Sequence, residues 1–330
     1  MIRPNVLAAW WILTLGVASA SAVRADEHRD LPPSHSVRPE LYATGFEFAE
    51  GPALDRAGNL YVVNYRNNGT IGCIARDGTA RVFCDMRKLA PVQGKKPQAN
   101  GLKVDRLGRL VAADAGAGRL LRIAADGKSV EVLADAFEGK RFDALNDVAL
   151  DVAGNVYFSD PGASSAERPT GSIYRYDLRA KKLTRLDTGL AYPNGLAVSP
   201  DQQYLCVAES GRFRVDLYDL APNGTVGKRR TLVDFPEKPE GGLRGGRVLP
   251  DGMIFDAAGR LYVATWTGGV INVVEVPSGR LVRQYDAGGG QATNCHFHEG
   301  YLYTTVAAKE AVFRLKLDVE GFDYNGPKKR

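Results

Sequence analysis

The strongest constraint on the fold of this chain is a unit that recurs six times, at intervals of roughly 40–50 residues. Each unit has an oxygen-bearing side chain, an apolar stretch, a turn five residues on, and then a β-branched or aromatic run. The anchor and turn residues pair as Glu50 with Asp55, Asn100 with Asp105, Asn146 with Asp151, Asn194 with Ser199, Asp251 with Asp256, and Asn294 with Glu299. A fixed period of this length marks a repeat array, and repeats made only of strands point to propeller blades. Asp favours the first position of the connecting turn, and Gly accepts the positive φ that follows. Two further alternating runs follow each unit, as in IGCIARDGTARVF and VINVVEVPSGRLVRQY. Four strands per unit and six units predict an all-β, six-bladed β-propeller. The segment Val37–Ala43 is expected to pair beside Ala311–Leu317 and close the ring.

Rotation about one axis would bring the six anchors onto one ring of two carboxylates and four carboxamides. Asn and Asp are common turn formers, so any one of them alone signals little. Glu50 is more informative, because Glu is a poor turn residue and the same slot elsewhere holds Asn or Asp. A ring of hard oxygen donors is suited to a hard cation such as calcium.

The rest of the chain narrows the class. A net charge of 43 − 38 = +5 falls to +3 without Arg3 and Arg24, too weak and scattered for nucleic acid. Arg3 followed by the apolar run Val6–Val17 and small residues reads as a signal peptide over residues 1–25. That run is shorter than a membrane span needs, so no membrane association is expected after cleavage. Residues 26–39 then form a polar linker, and 40–330 one propeller domain, exported to a periplasm or secreted. In an oxidising compartment Cys73 and Cys84 flank a hairpin turn, and a bulge there would allow a disulfide; two half-buried strand cysteines are the other reading. Cys206 and Cys295 sit in inner strands and are expected to be buried. Insertions at Lys88–Gln98, Ala163–Thr170 and Phe235–Leu249 are expected around the mouth of the channel, where loops on a rigid scaffold select substrate.

Read in order, Glu50-Gly51-Pro52, Asn100-Gly101-Leu102, Asn146-Asp147, Pro193-Asn194-Gly195-Leu196 and Pro250-Asp251-Gly252-Met253 resemble a known family. It comprises the calcium-dependent lactonases grouped as senescence marker protein (regucalcin), gluconolactonase and related proteins. The resemblance runs from about Gly45 to Leu317 and implies a six-bladed propeller. It implies that Glu50, Asn194 and Asp251 hold a divalent metal, with Asn146 beside it as ligand or substrate contact. Calcium is the expected ion, with zinc or manganese as substitutes. Asp251 becomes the candidate general acid/base, and Asn100, Asn146 and Asn294 the candidate substrate contacts. The implied reaction is hydrolysis of a lactone, with a sugar lactone expected. Two departures stand out: Ala144 replaces an arginine that binds the sugar lactone in the regucalcin branch, and Asp160-Pro161-Gly162 runs on differently from the expected acidic contact.

Other readings stay open. His296 invites comparison with the histidine base of arylesterase propellers, although with His298 it also suits an ordinary packed pair. Arg244 and Arg247 suit a substrate carboxylate or phosphate, or simply a solvated loop. Trp266 suits a ligand wall or the core. A non-catalytic exported propeller with structural calcium is the alternative from a different class, since fold alone decides nothing.

Overall fold

Every turn-and-strand unit folds as the inner hairpin of a four-stranded antiparallel sheet, and six such sheets, with one two-stranded ribbon, are found among the described residues. The computed structural model describes residues 30–64, 69–235 and 248–326. The signal peptide, Arg244 and Arg247 lie outside the described residues. The innermost strands of blades one to six are Ala49–Leu54, Ala99–Val104, Val148–Leu150, Pro193–Val198, Pro250–Phe255 and Ala292–His298. The sixth blade takes its outermost strand from the other end of the chain. Glu40–Thr44 pairs antiparallel with Ala311–Lys316, Glu40 opposite Arg314, and so closes the ring as expected.

The inner strands are buried along their length, save for half-buried His298 at the end of the sixth, because each is covered by its own blade and by its neighbours. Their apolar side chains form clusters between blades; Ala53, Tyr61 and Val63 of blade one, for example, pack with Leu102, Leu110 and Ala112 of blade two. Inner strands can approach this closely only where side chains are absent. A Cβ at Gly101 would collide with the Asp147 carboxylate, and one at Gly252 with the Asn294 carboxamide.

Residues Asp30–Pro39, expected as a linker, are packed onto blade five. Leu31 is buried in that blade's core cluster, the Tyr285 hydroxyl donates to Pro32 O at 2.8 Å, and Asp30 pairs with Arg260 at 2.7 Å. At the other end of the chain, a strap from Asp318 to Asn325 crosses the back of the axis. Phe322 N donates to Phe255 O, Ala257 N to Glu320 O, and Asn325 Nδ2 to Val104 O, which ties blades five and two together.

The disulfide reading fails. The bulge between Ile71 and Gly72 shifts the register by only one residue, so Cys73 faces Arg81 while Cys84 faces Ile71. All four cysteines are free and buried.

Candidate functional site

Registers, not turn spacings, decide which residues are equivalent between blades. The pairs Ala49 with Asn64, Ala99 with Asp114, Pro193 with Glu209, Pro250 with Thr265 and Ala292 with Val306 each precede a one-residue bulge. The residue after each pair forms the upper tier: Glu50, Asn100, Asn194, Asp251 and, in blade six, Thr293. Asn146 completes it in blade three. Asn294 therefore falls one step lower, level with Asp147 and with glycines 51, 101, 195 and 252. This corrects its place in the ring. The blade-six hairpin pairs His298 with Tyr301 and turns in two residues, whereas the other blades turn in five, as between Leu54 and Leu60, or, in blade four, six. Counting back from that shortened turn lands one residue too far along.

Glu50, Asn100, Asn146, Asn194 and Asp251 line one cavity of about 1020 Å³ at the mouth of the axis. Asn294 does not line it. Its side chain is buried beneath, where Nδ2 donates to Asp147 Oδ2 at 3.2 Å and Oδ1 accepts the Cys295 N–H at 2.8 Å. Backbone contacts hold the tier in place: Gly101 N donates to Asn146 O at 2.8 Å, and Ser159 Oγ to Asn194 O at 2.7 Å. Likewise Ser210 Oγ donates to Pro250 O at 2.6 Å, and Thr293 Oγ1 to Ala49 O at 3.0 Å.

The electrostatics follow from this burial. Glu50 and Asp251 are 5% and 6% exposed, so ionising either is costly. Desolvation, reinforced by the Asp147 charge, pushes the Glu50 carboxyl up to about 8, against the Gly51 N–H and the Lys103 charge. Burial raises Asp251 well above the usual carboxylate range, helped by the charges of Glu50 and Asp147 and opposed by hydrogen bonds from Asn194 and the Gly252 N–H. Asp147 is raised by burial as well. Glu50, Asp251 and Asn146 also all act on the Tyr192 hydroxyl, which fixes their common location.

The donor set suits a hard cation. Two crowded carboxylates, each accepting a single backbone N–H, stand beside two carboxamides, and a divalent ion would relieve the repulsion between them. Among the described residues no three Asp, Glu, His or Cys side chains gather as a metal group. Calcium does not require that, since amide oxygens serve it equally well.

The walls differ from the floor. Phe48, Tyr192, Phe213, Phe235, Leu249 and Trp266 line the upper cavity, and Phe48 packs on Trp266 with ring centroids 5.4 Å apart. Phe48 and Tyr192, each two residues before a ring member, have φ of 56° and 54°. Bulky residues seldom occupy that region, and such strain concentrates at functional sites.

Among the insertions, Ala163–Thr170 supplies Ser164 to Glu167, and Phe235–Leu249 supplies both of its end residues. Lys88–Gln98 contributes none of the lining residues. Asp160 is occupied, accepting the N–H groups of Asp143 and Ala144. His296 sits at the opposite end of the axis, its Nδ1 3.0 Å from Phe297 O and its Nε2 3.4 Å from the Tyr324 hydroxyl. It is no base for Asp251. Sequence reasoning missed Tyr192, Asp147 and Lys103. A signal for Asp147 existed: a charged residue in a slot that four other units fill with glycine.

Comparison with known proteins agrees with this architecture. Residues 48–308 match the family model described as the SMP-30/gluconolactonase/LRE-like region. A gluconolactonase of Zymomonas mobilis is 29% identical over 323 residues, covering 93% of this chain and 88% of the relative. The diisopropyl-fluorophosphatase of Loligo vulgaris is 28% identical over 276 residues, covering 76% and 82%. Among solved structures, a gluconolactonase from Xanthomonas campestris superposes with a TM-score of 0.71 at 25% identity, covering 91% of this chain and 93% of that one.

Proposed function

The chain belongs to the SMP-30/gluconolactonase/LRE-like family, and on that premise we propose that it is a divalent-cation-dependent hydrolase that opens a lactone ring. The observation that carries this reading is the meeting of Glu50, Asn146, Asn194 and Asp251, all buried, at the floor of one cavity. Relatives named gluconolactonase and pentonolactonase support the choice of substrate class. Calcium fits the oxygen-only donor set, and the regucalcin relatives accord with it.

Glu50, Asn146, Asn194 and Asp251 would hold the ion. When bound, it supplies Lewis-acid polarisation of an ester carbonyl. Asp251 would accept a proton from the water that adds to the carbonyl carbon. As the ring C–O bond breaks, the same carboxyl returns that proton to the departing alkoxide, leaving a hydroxy acid. Asn100 lines the cavity without belonging to the ligand set, which suits it to orient the lactone. The apolar upper walls keep bulk water off the reacting ester. We also propose that the protein is exported, on the strength of its amino-terminal segment.

The test is a panel of sugar lactones, alkyl and aryl lactones and aryl esters, each assayed with calcium and with excess chelator. Turnover of a lactone that chelation abolishes and calcium restores is the expected result. Turnover indifferent to divalent ions would overturn the proposal. No turnover of any substrate, with chelation lowering only the melting temperature, would make the protein a binding module.

A further inference from the structure

Three residues below each ring member lies a third tier, which blades one and three to five fill with Ala53, Ala149, Ala197 and Ile254. Blade two places Lys103 there, on the inner strand opposite Val111. It is 4% exposed, and its Nζ has no hydrogen-bond partner. A buried ammonium without a partner is costly. Between it and the ring lies Asp147, 1% exposed, in the space that Gly101 leaves open. Lys103 acts electrostatically on both Glu50 and Asp147.

We propose that Lys103 is a charge-setting residue, an ammonium sealed beneath the oxygen ring that offsets the Asp147 carboxylate, so that the site is matched to a divalent cation in preference to a trivalent one. This rests on the cation-binding reading above. With a cation bound, Glu50, Asp147 and Asp251 contribute three negative charges and Lys103 one positive, so −3 + 1 = −2. Without Lys103 the site would carry −3 and favour an ion of higher charge. His296 shares the third tier but stays neutral, because burial lowers its ring to about 3. The sequestered ammonium is therefore the one cation of this tier, and no solvent screens it. Lys103 touches neither substrate nor ion. It acts through the field it adds.

The field acts on an ion in proportion to the ion's charge, so the role has a signature that packing lacks. Calcium and terbium(III) binding are measured directly, by calorimetry and by terbium luminescence, on the whole protein. For Lys103→Met, calcium affinity is expected to rise about 30-fold. Terbium affinity should rise by the three-halves power of that, about 150-fold, so the terbium-to-calcium ratio rises about fivefold. Asp147→Asn should move the ratio the opposite way. Lys103→Gln, which keeps the length and polarity of the side chain, should repeat the Met result, with thermal melts confirming that each variant folds. Equal changes for both ions, or none, in folded Lys103 variants would overturn the charge role while leaving cation binding intact. A wild-type protein that binds neither ion would instead overturn the underlying reading.

Discussion

Two sets of carboxylates, only five residues apart in sequence, meet opposite fates. The hairpin aspartates are saturated. Asp55 accepts from the N–H groups of Ala57 and Asn59, from Asn59 Nδ2 and from the Tyr61 hydroxyl. Asp151 repeats the pattern with Ala153, Asn155 and Tyr157. Asp256 is held by the N–H of Arg260, its Nε at 2.6 Å, and the Tyr262 hydroxyl. The ring carboxylates of Glu50 and Asp251 are buried and accept fewer bonds: Glu50 from the Gly51 N–H and the Thr293 side chain, Asp251 from the Asn194 side chain and the Gly252 N–H. A carboxylate whose lone pairs are filled builds a turn; one left short of partners at a cavity floor is available for chemistry.

Substitution separates the two sets. Asp251→Asn should lower lactone kcat/KM by a thousandfold or more, about 4 kcal/mol of transition-state stabilisation. Its melting temperature should hold or rise, since one of two crowded buried carboxylates is neutralised. A large fall in melting temperature would put Asp251 with the turn formers. Asp256→Ala should do the reverse. It strands the buried Arg260, for which Asp30 is the remaining partner, and should cost about 3 kcal/mol in denaturant unfolding while kcat per folded molecule stays level.

The sequence made the repeat readable because turn chemistry is local: Asp and Gly in a hairpin connection act the same way wherever the blade sits. Blade count, ring closure and five members of the upper tier followed from that. Asn294 did not, because blade six lengthens its hairpin by one pair and shortens its turn, and a count along the chain cannot see register. Asp147 and Lys103 were hidden for a different reason. Their significance lies in glycines and alanines contributed by other blades, so they stand out only when tiers are compared. Saturation, too, is a property of three-dimensional neighbours, which is why Asp251 and Asp256 look alike in the sequence.

The back of the axis extends the comparison to pH. His296 is buried against Phe297 and Tyr324, and burial together with the Lys103 charge lowers it from 6.5 to about 3. Between those values the unfolded chain binds a proton that the folded protein refuses. Stability is therefore fully present above 6.5 and declines as pH falls toward 3, by up to about 1.4 kcal/mol per pH unit. Thermal melts from pH 7 to pH 4 should show this slope, and His296→Gln should flatten it. An unchanged slope in the variant would move the acid sensitivity to another group.

The smallest effect concerns the walls rather than the floor. Trp266 packs on Phe48, whose backbone is held at positive φ, and both side chains stand in the cavity above the ring carboxylates. An aromatic wall gains from apolar contact with a substituent but offers little to a ring covered in hydroxyls, which needs hydrogen bonds. Truncation should thus act on binding and leave the proton chemistry at Asp251 alone. For an aryl-substituted lactone, Trp266→Ala should raise KM roughly fivefold, about 1 kcal/mol, with kcat nearly unchanged. A sugar lactone should respond less. If both substrates lost kcat and kept KM, Trp266 would be shaping the floor, and the division between a reactive ring and a selective wall would fail.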